Sequence, residues 1–250
     1  MSEKKPMVIA ISGSTRKGGN TDQFLQATLD IISEYKIQTE LITLCDKKIT
    51  SGCIACWKCR ERHAECAIND DVNPIFRKMV QANGIILGCP VYFGSVPAKM
   101  KALLERTGIL CEGRVSFDKP VFILGKPALW PETSKGPGLF ARKIGGAITV
   151  ARRDGVISTL SELALWFLIN NFIVVSSNYW TVGLGTKRVP KPDGSGYEHS
   201  RDMIKNDLEG RRTIEHFAEN FAWLVNLTHG PQKSPEEIFK ESRLSSPLKT

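Results

Sequence analysis

Short β-type runs alternate with helical patterns through the first two-thirds of the chain. This alternation constrains the fold most, because parallel strands need a crossover between them, usually a helix. Met7 to Ser12 is a continuous apolar run ending at Gly13. A helix is predicted from about Thr21, with Leu25, Leu29 and Ile32 at i, i+4 and i+7 as its buried stripe. Gln38 to Leu44 reads as the second strand, and Asp70 and Asp71 offer capping carboxylates to a helix running to about Gln81. Gly84 to Gly88 is the third strand, stopped by Pro90, and a helix follows from Ala98 to Thr107 with Met100, Leu103 and Leu104 on its apolar side. Gly145 to Val150, a helix over Ser158 to Leu168, and Ile173 to Ser177 complete a set of five strands. Ser200 to Leu227 holds the last long helical pattern, where Ile214, Phe217, Phe221 and Leu224 read as core. The expected class is α/β: a doubly wound, five-stranded parallel sheet with helices on both faces, in one domain over residues 1–228.

Two segments break the alternation. Residues 112–142, rich in glycine and proline and carrying Trp130 and Phe140, read as an insertion over one end of the sheet. Residues 229–250, rich in Pro, Ser and Lys, read as an extended arm. With 250 residues, 42% of them hydrophobic, the chain can build one sizeable core. Met7 to Ile11 is too short for a signal-peptide core, and Leu163 to Val175, broken by Asn170 and Asn171, falls short of the roughly 20 residues of a membrane helix. A cytoplasmic protein with no membrane association is expected. The net charge of +8 is scattered and accompanies no nucleic-acid motif, so it reads as a solvated basic surface that can attract anionic cofactors or acidic redox partners, and no nucleic acid is expected as partner.

The residues from Ser12 to Thr21, S-G-S-T-R-K-G-G-N-T, lie between a buried strand and a helix start, where backbone amides and the helix dipole attract an anion. Neither a P-loop nor a dinucleotide fingerprint fits, since G-K-[S/T] is absent and Thr15 stands where a second glycine would be needed. A mononucleotide phosphate suits Ser12, Ser14, Asn20 and Thr21 as donors, with Arg16 adding a charge-assisted bond; an ordinary βα turn is the bland alternative. Doubly wound sheets bind ligands beyond the carboxyl ends of their strands, so the loop after strand three should meet this turn. That loop, Pro90-Val91-Tyr92-Phe93-Gly94-Ser95, offers a rigid proline, aromatic faces and close backbone amides to a planar ring. Together the two loops suggest a flavin.

Seven cysteines, four of them between Cys53 and Cys66, do not resemble a secreted disulfide framework and point to metal or redox chemistry in a reducing compartment. Cys53-x2-Cys56-x2-Cys59-x6-Cys66 suits a loop wrapped around a compact 4Fe-4S cluster. Structural zinc usually takes two separated pairs, so the third closely spaced cysteine favours iron; zinc and redox-active thiols are the alternatives. Lys58, Arg60 and Arg62 can offset the negative charge of the ligands or simply be solvated, Trp57 can shield them, and His63 reads as exposed. Cys45, Cys89 and Cys111 read as small buried residues.

With S-G-S-x-R-x-x-G-N-T and P-V-Y-F-G-S both present, the chain resembles the NADPH-dependent FMN reductase superfamily from Met7 to about Ser177, and its cysteine spacing resembles that of the iron–sulfur flavoprotein branch. The resemblance implies a flavodoxin-like fold, with the FMN phosphate at Ser12, Ser14, Arg16, Asn20 and Thr21 and the ring along Pro90, Val91, Tyr92, Phe93 and Gly94. It implies a third flavin loop at Ala151, Arg152, Arg153, Asp154 and Gly155, where paired arginines depart from the small residues usual there. It also implies a homodimer or homotetramer. The expected activity passes electrons between a donor, ferredoxin or NAD(P)H, and a small-molecule acceptor through FMN and a cluster held by Cys53, Cys56, Cys59 and Cys66. Competing readings are an NADPH-dependent FMN or quinone reductase without a cluster, and a non-enzymatic electron carrier. No side chain is nominated as acid or base.

Overall fold

The computed structural model describes residues 5–62, 64–111, 122–123, 126–127, 138–200 and 202–228. In chain order the elements are β1 (Met7–Ser12), α1 (Asn20–Glu34), β2 (Gln38–Thr43), α2 (Lys58–Glu61), α3 (Val72–Gln81), β3 (Gly84–Pro90) and α4 (Ala98–Cys111). After them come β4 (Phe122–Ile123), β5 (Lys126–Pro127), β6 (Ile144–Ala151), α5 (Val156–Ile169), β7 (Ile173–Val174), β8 (Val182–Leu184), β9 (Arg188–Pro190), β10 (Tyr197–His199), α6 (Met203–Asn206) and α7 (Leu208–Thr228).

The main sheet runs β2-β1-β3-β6-β7, all parallel, with β8 also paired to β6. Period-two alternation divides each central strand between two cores. Ile9, Ile11, Ile85 and Leu87 face one way, toward Phe76, Met100, Leu103 and Leu163 of α3, α4 and α5. Val8, Ala10, Ile86 and Ile148 face the other way, toward Leu25, Leu29 and Ile32 of α1 and Phe217 and Phe221 of α7. This is the doubly wound, flavodoxin-like arrangement. Gly84 and Gly146 let α7 approach the sheet, since a Cβ at either would stand 2.6 or 2.4 Å from the rings of Phe221 and Phe217.

Three expectations need correction. The fifth strand is not one run from Ile173 to Ser177: β7 pairs with the start of β6 and β8 with its end, and residues 176–180 leave the sheet between them. Ile173 and Val174 are 40% and 38% exposed, so this edge lacks the burial that sets the length of an inner strand. The last helix is two helices, because the Asp207 carboxylate accepts the amides of Gly210 (2.9 Å) and Leu184 (2.7 Å), starting α7 and binding it to β8. At α3, Asp71 makes no side-chain cap and instead accepts the Lys48 amide at 2.6 Å; the α3 amide of Val72 goes to Asp70, at 3.1 Å.

Phe140, read as part of the insertion, is buried among Phe76, Trp166 and Phe172. Of the rest of that segment, β4 and β5 form a short antiparallel pair; Trp130 and the 229–250 arm lie outside the described residues. No helix among the described residues is long and apolar enough to cross a membrane.

Candidate functional site

Because β1, β3 and β6 are adjacent and parallel, their carboxyl-end loops open on one edge. There they wall a cleft of about 770 Å³. Its lining takes Ser14, Arg16, Gly19, Asn20 and Thr21 from the first turn, Pro90, Val91 and Tyr92 after β3, and Val150, Ala151 and Arg152 at β6. Gly185 and Thr186, after β8, complete it; sequence reasoning missed both, because β8 itself was not foreseen.

Direct contacts join the loops. The Thr15 and Tyr92 hydroxyls lie 2.8 Å apart, and the Val91 amide donates to Val150 O at 3.0 Å. Tyr92 and Ser95 exchange backbone bonds of 3.0 and 3.1 Å around Phe93 (φ 52°) and Gly94 (φ 77°), a tight turn with both central residues left-handed. Phe93 stands fully exposed at its tip, outside the cleft wall. Gly155 (φ 86°) begins α5 behind this turn, where a Cβ would fall 2.9 Å from Gly94 Cα. Asp154 is exposed and off the wall.

Within the first turn the donors divide into two groups. Ser12 is fully buried and off the wall: its hydroxyl donates to Asp22 Oδ1 at 2.5 Å and accepts the Ser14 amide at 3.2 Å. Asp22 Oδ2 accepts the Gly18 amide at 2.7 Å, so this carboxylate, missed in the sequence, latches both ends of the turn. Asn20 ties distant segments together, donating to Thr186 Oγ1 (3.3 Å) and Ser200 O (3.5 Å) and accepting the Met203 amide (3.2 Å). Ser14, Arg16 and Thr21 stand with Asn20 on the wall, beside an α1 N-terminus whose cap residue is Gly19; the Ser14 hydroxyl donates to Arg16 O at 2.9 Å and accepts the Arg16 amide at 3.1 Å. Amides of an uncapped first turn and the helix dipole make this corner of the cleft attractive to an anion.

The four closely spaced cysteines line one pocket of about 490 Å³, open to solvent, with Ile54, Trp57, Ile68, Ile109 and Leu110. Left-handed residues at Ala55, Trp57 and Ala64 curl the loop around it. Its ends are pinned: the Cys53 amide donates to Glu105 Oε2 on α4 (3.2 Å), and Cys66 exchanges two bonds with the Asn73 amide side chain on α3 (2.9 and 3.0 Å). Burial pushes the Cys59 thiol up, and Cys66, Cys53 and Cys56 add to the shift, as expected where four potential thiolates share a space. Among the described residues no three His, Cys, Asp or Glu side chains close around a single metal-ion position. Lys58 and Arg62 are exposed; His63 and the Arg60 side chain lie outside the described residues. Cys89 and Cys111 are buried and Cys45 half-buried, with burial, then Glu162, pushing the Cys89 thiol up to about 12.

One wall residue of this pocket was not foreseen. Arg106, on α4, is buried in a two-pronged ion pair with Asp70, its Nη1 and Nη2 donating to Oδ2 and Oδ1 at 2.6 and 2.8 Å. Burial opposes ionisation of Asp70, but Arg106 and the Thr50 and Val72 amides outweigh it and hold the carboxyl down at about 2. The same helix links the two sites. It starts just after the Tyr92 turn and brings Arg106 to the cysteine pocket about 12 Å along its axis, at about 1.5 Å per residue from Ala98.

Residues 6–187 match the family described as NADPH-dependent FMN reductase. An iron–sulfur flavoprotein of Methanocaldococcus jannaschii is 36% identical over 222 residues, spanning 88% of this chain and 97% of the relative. The chain belongs to the iron–sulfur flavoprotein branch of the NADPH-dependent FMN reductase family. Another protein of that name, from Archaeoglobus fulgidus, is 29% identical over 226 residues, covering 90% of this chain and all of the relative. Among solved structures, RosB with a bound 8-demethyl-8-formylriboflavin-5'-phosphate shares the fold with a TM-score of 0.63 at 15% identity, over 97% of this chain and 88% of that one. As a member of its family the chain is a flavin-dependent oxidoreductase, with FMN as its flavin.

Proposed function

We propose that this iron–sulfur flavoprotein holds FMN in the strand-end cleft and a 4Fe-4S cluster in the cysteine pocket, and passes electrons between a donor, ferredoxin or NAD(P)H, and a small-molecule acceptor. The observation that carries the reading is the gathering of Cys53, Cys56, Cys59 and Cys66 around one largely apolar pocket, in a chain whose relatives bear the iron–sulfur flavoprotein name. A cluster with four thiolate ligands suits such a pocket, since the low polarity of its walls helps set its potential.

In the cleft, Ser14, Arg16, Thr21 and the amides at the start of α1 would hold the phosphate, while Asn20 and Asp22 keep the turn in shape. Pro90, Val91 and Tyr92 would flank the ring, with Phe93 and Gly94 shaping the turn beside it, Ala151 forming the floor and Gly155 backing the turn. Arg152, exposed on the rim, can meet an anionic donor or acceptor. FMN exchanges electrons in pairs or singly, and the cluster one at a time.

The exposed Leu165, Leu168 and Ile169 on α5 support a homodimer or homotetramer, because an apolar helix face of this kind gains by being covered. Thiolate ligands also favour residence in the reducing cytoplasm. Anaerobic purification followed by absorption spectroscopy and iron, sulfide and flavin analysis tests the proposal. About four iron and four sulfide per FMN are expected; flavin bands without iron or labile sulfide would overturn it.

A further inference from the structure

Arg106 is 1% exposed, and its two terminal nitrogens are committed to Asp70, with weaker donation to Ile68 O (3.3 Å) and Ser51 O (3.5 Å). Its Nε–H is buried and has no partner among the described residues. Leaving a buried donor unsatisfied costs on the order of 1–3 kcal/mol, so such a group calls for an acceptor. The guanidinium lines the cysteine pocket and lies beside the Cys66 sulfur. Asp70 neutralises its charge, which leaves the directed N–H as the feature that distinguishes it from an ordinary surface cation.

We propose that Arg106 tunes the cluster, its Nε–H donating to the Cys66 sulfur or to an adjoining inorganic sulfide and raising the potential of the one-electron couple. The inference rests on the cluster proposed above. When an external reductant delivers one electron, the cluster gains one negative charge and its sulfurs become better acceptors, so a fixed donor stabilises the reduced form more than the oxidised one. No proton need move. Asp70 is then a positioning residue, holding the fork so that Nε is the nitrogen left over.

The test is a potentiometric titration followed by electron paramagnetic resonance, on anaerobically purified full-length protein. It compares wild type, Asp70→Asn, and Asp70→Asn combined with Arg106→Met, which replaces both members of the pair and avoids an unpaired buried charge. The double variant should lower the reduced-to-oxidised ratio about tenfold at fixed ambient potential, about 59 mV for one electron. Asp70→Asn alone keeps a carbonyl acceptor to hold the guanidinium in place and removes the counter-charge, so its potential should rise. Resonance Raman Fe–S bands should shift in D2O for wild type and Asp70→Asn, and lose the Nε contribution in the double variant. A merely structural role would move stability without these opposite shifts. Wild-type potentials in both variants, with iron and sulfide at full complement, would overturn the inference; wild type without iron would instead overturn the cluster reading beneath it.

Discussion

Asp70→Asn should cost the protein several kcal/mol at neutral pH, and the cost should shrink in acid. Both members of the Arg106–Asp70 pair are almost completely buried, at 1% and 0% side-chain exposure. Removing one partner of such a pair costs about 3–5 kcal/mol, because the remaining charge is stranded. The pH dependence follows from linkage. The Asp70 carboxyl is held down at about 2 in the folded chain against an ordinary 3.8, which corresponds to a contribution on the order of 2 kcal/mol. A depressed carboxyl stabilises fully above its unfolded value, and that contribution is lost as pH falls from 3.8 toward 2. Urea unfolding of iron-free wild type and variant, followed by circular dichroism from neutral pH to pH values near 3, measures the difference directly. The gap should be widest near neutrality and narrow only below about pH 4. A gap independent of pH, or a variant as stable as wild type, would refute the assignment of this stability to a buried ion pair.

Gly155→Ala should weaken FMN binding at least tenfold, read by flavin fluorescence, because a Cβ meets Val91 and Gly94 at 2.8 and 2.9 Å in a left-handed backbone that already costs roughly 1–2 kcal/mol for alanine. Asp22→Ala should release FMN more readily than Ser12→Ala, since Asp22 holds both the Ser12 hydroxyl and the Gly18 amide; equal affinities would place Ser12 at the phosphate directly. Lys143 is buried against the Val80 and Ala82 carbonyls, so Lys143→Met should destabilise by about 1–3 kcal/mol in a denaturant titration. Burial pulls the Lys143 ammonium down to about 8 from 10.5, so charging it costs stability below that value, and the wild-type advantage over Lys143→Met should grow as pH rises through this window.

What the sequence makes legible here is whatever is decided locally or by burial on both sides of a strand. Val8, Ile9, Ala10 and Ile11 are all apolar because each face of β1 meets a helix layer, and no register slip could hide that. The two cleft loops are legible for a similar reason: their glycines and hydroxyls answer to backbone geometry within a few residues. The edge strand lacks that signature, so its division into β7 and β8 is silent, and with it go Gly185 and Thr186. The remaining misses share one cause. Asn20 reads as a local donor and Asp70 as a local cap, and Asp207 has no reading, yet their partners include Met203, Arg106 and Leu184, 183, 36 and 23 residues away in the chain. Arg106 did leave one trace. It falls between Leu103 and Leu110 on the helix that carries Met100, where every neighbour on the stripe is buried, and a cation on a buried stripe requires an anion from another element. Asp70, four residues beyond Cys66, is such an anion, and its pairing with Arg106 joins α4 to the cysteine loop and gives the pocket its polar wall.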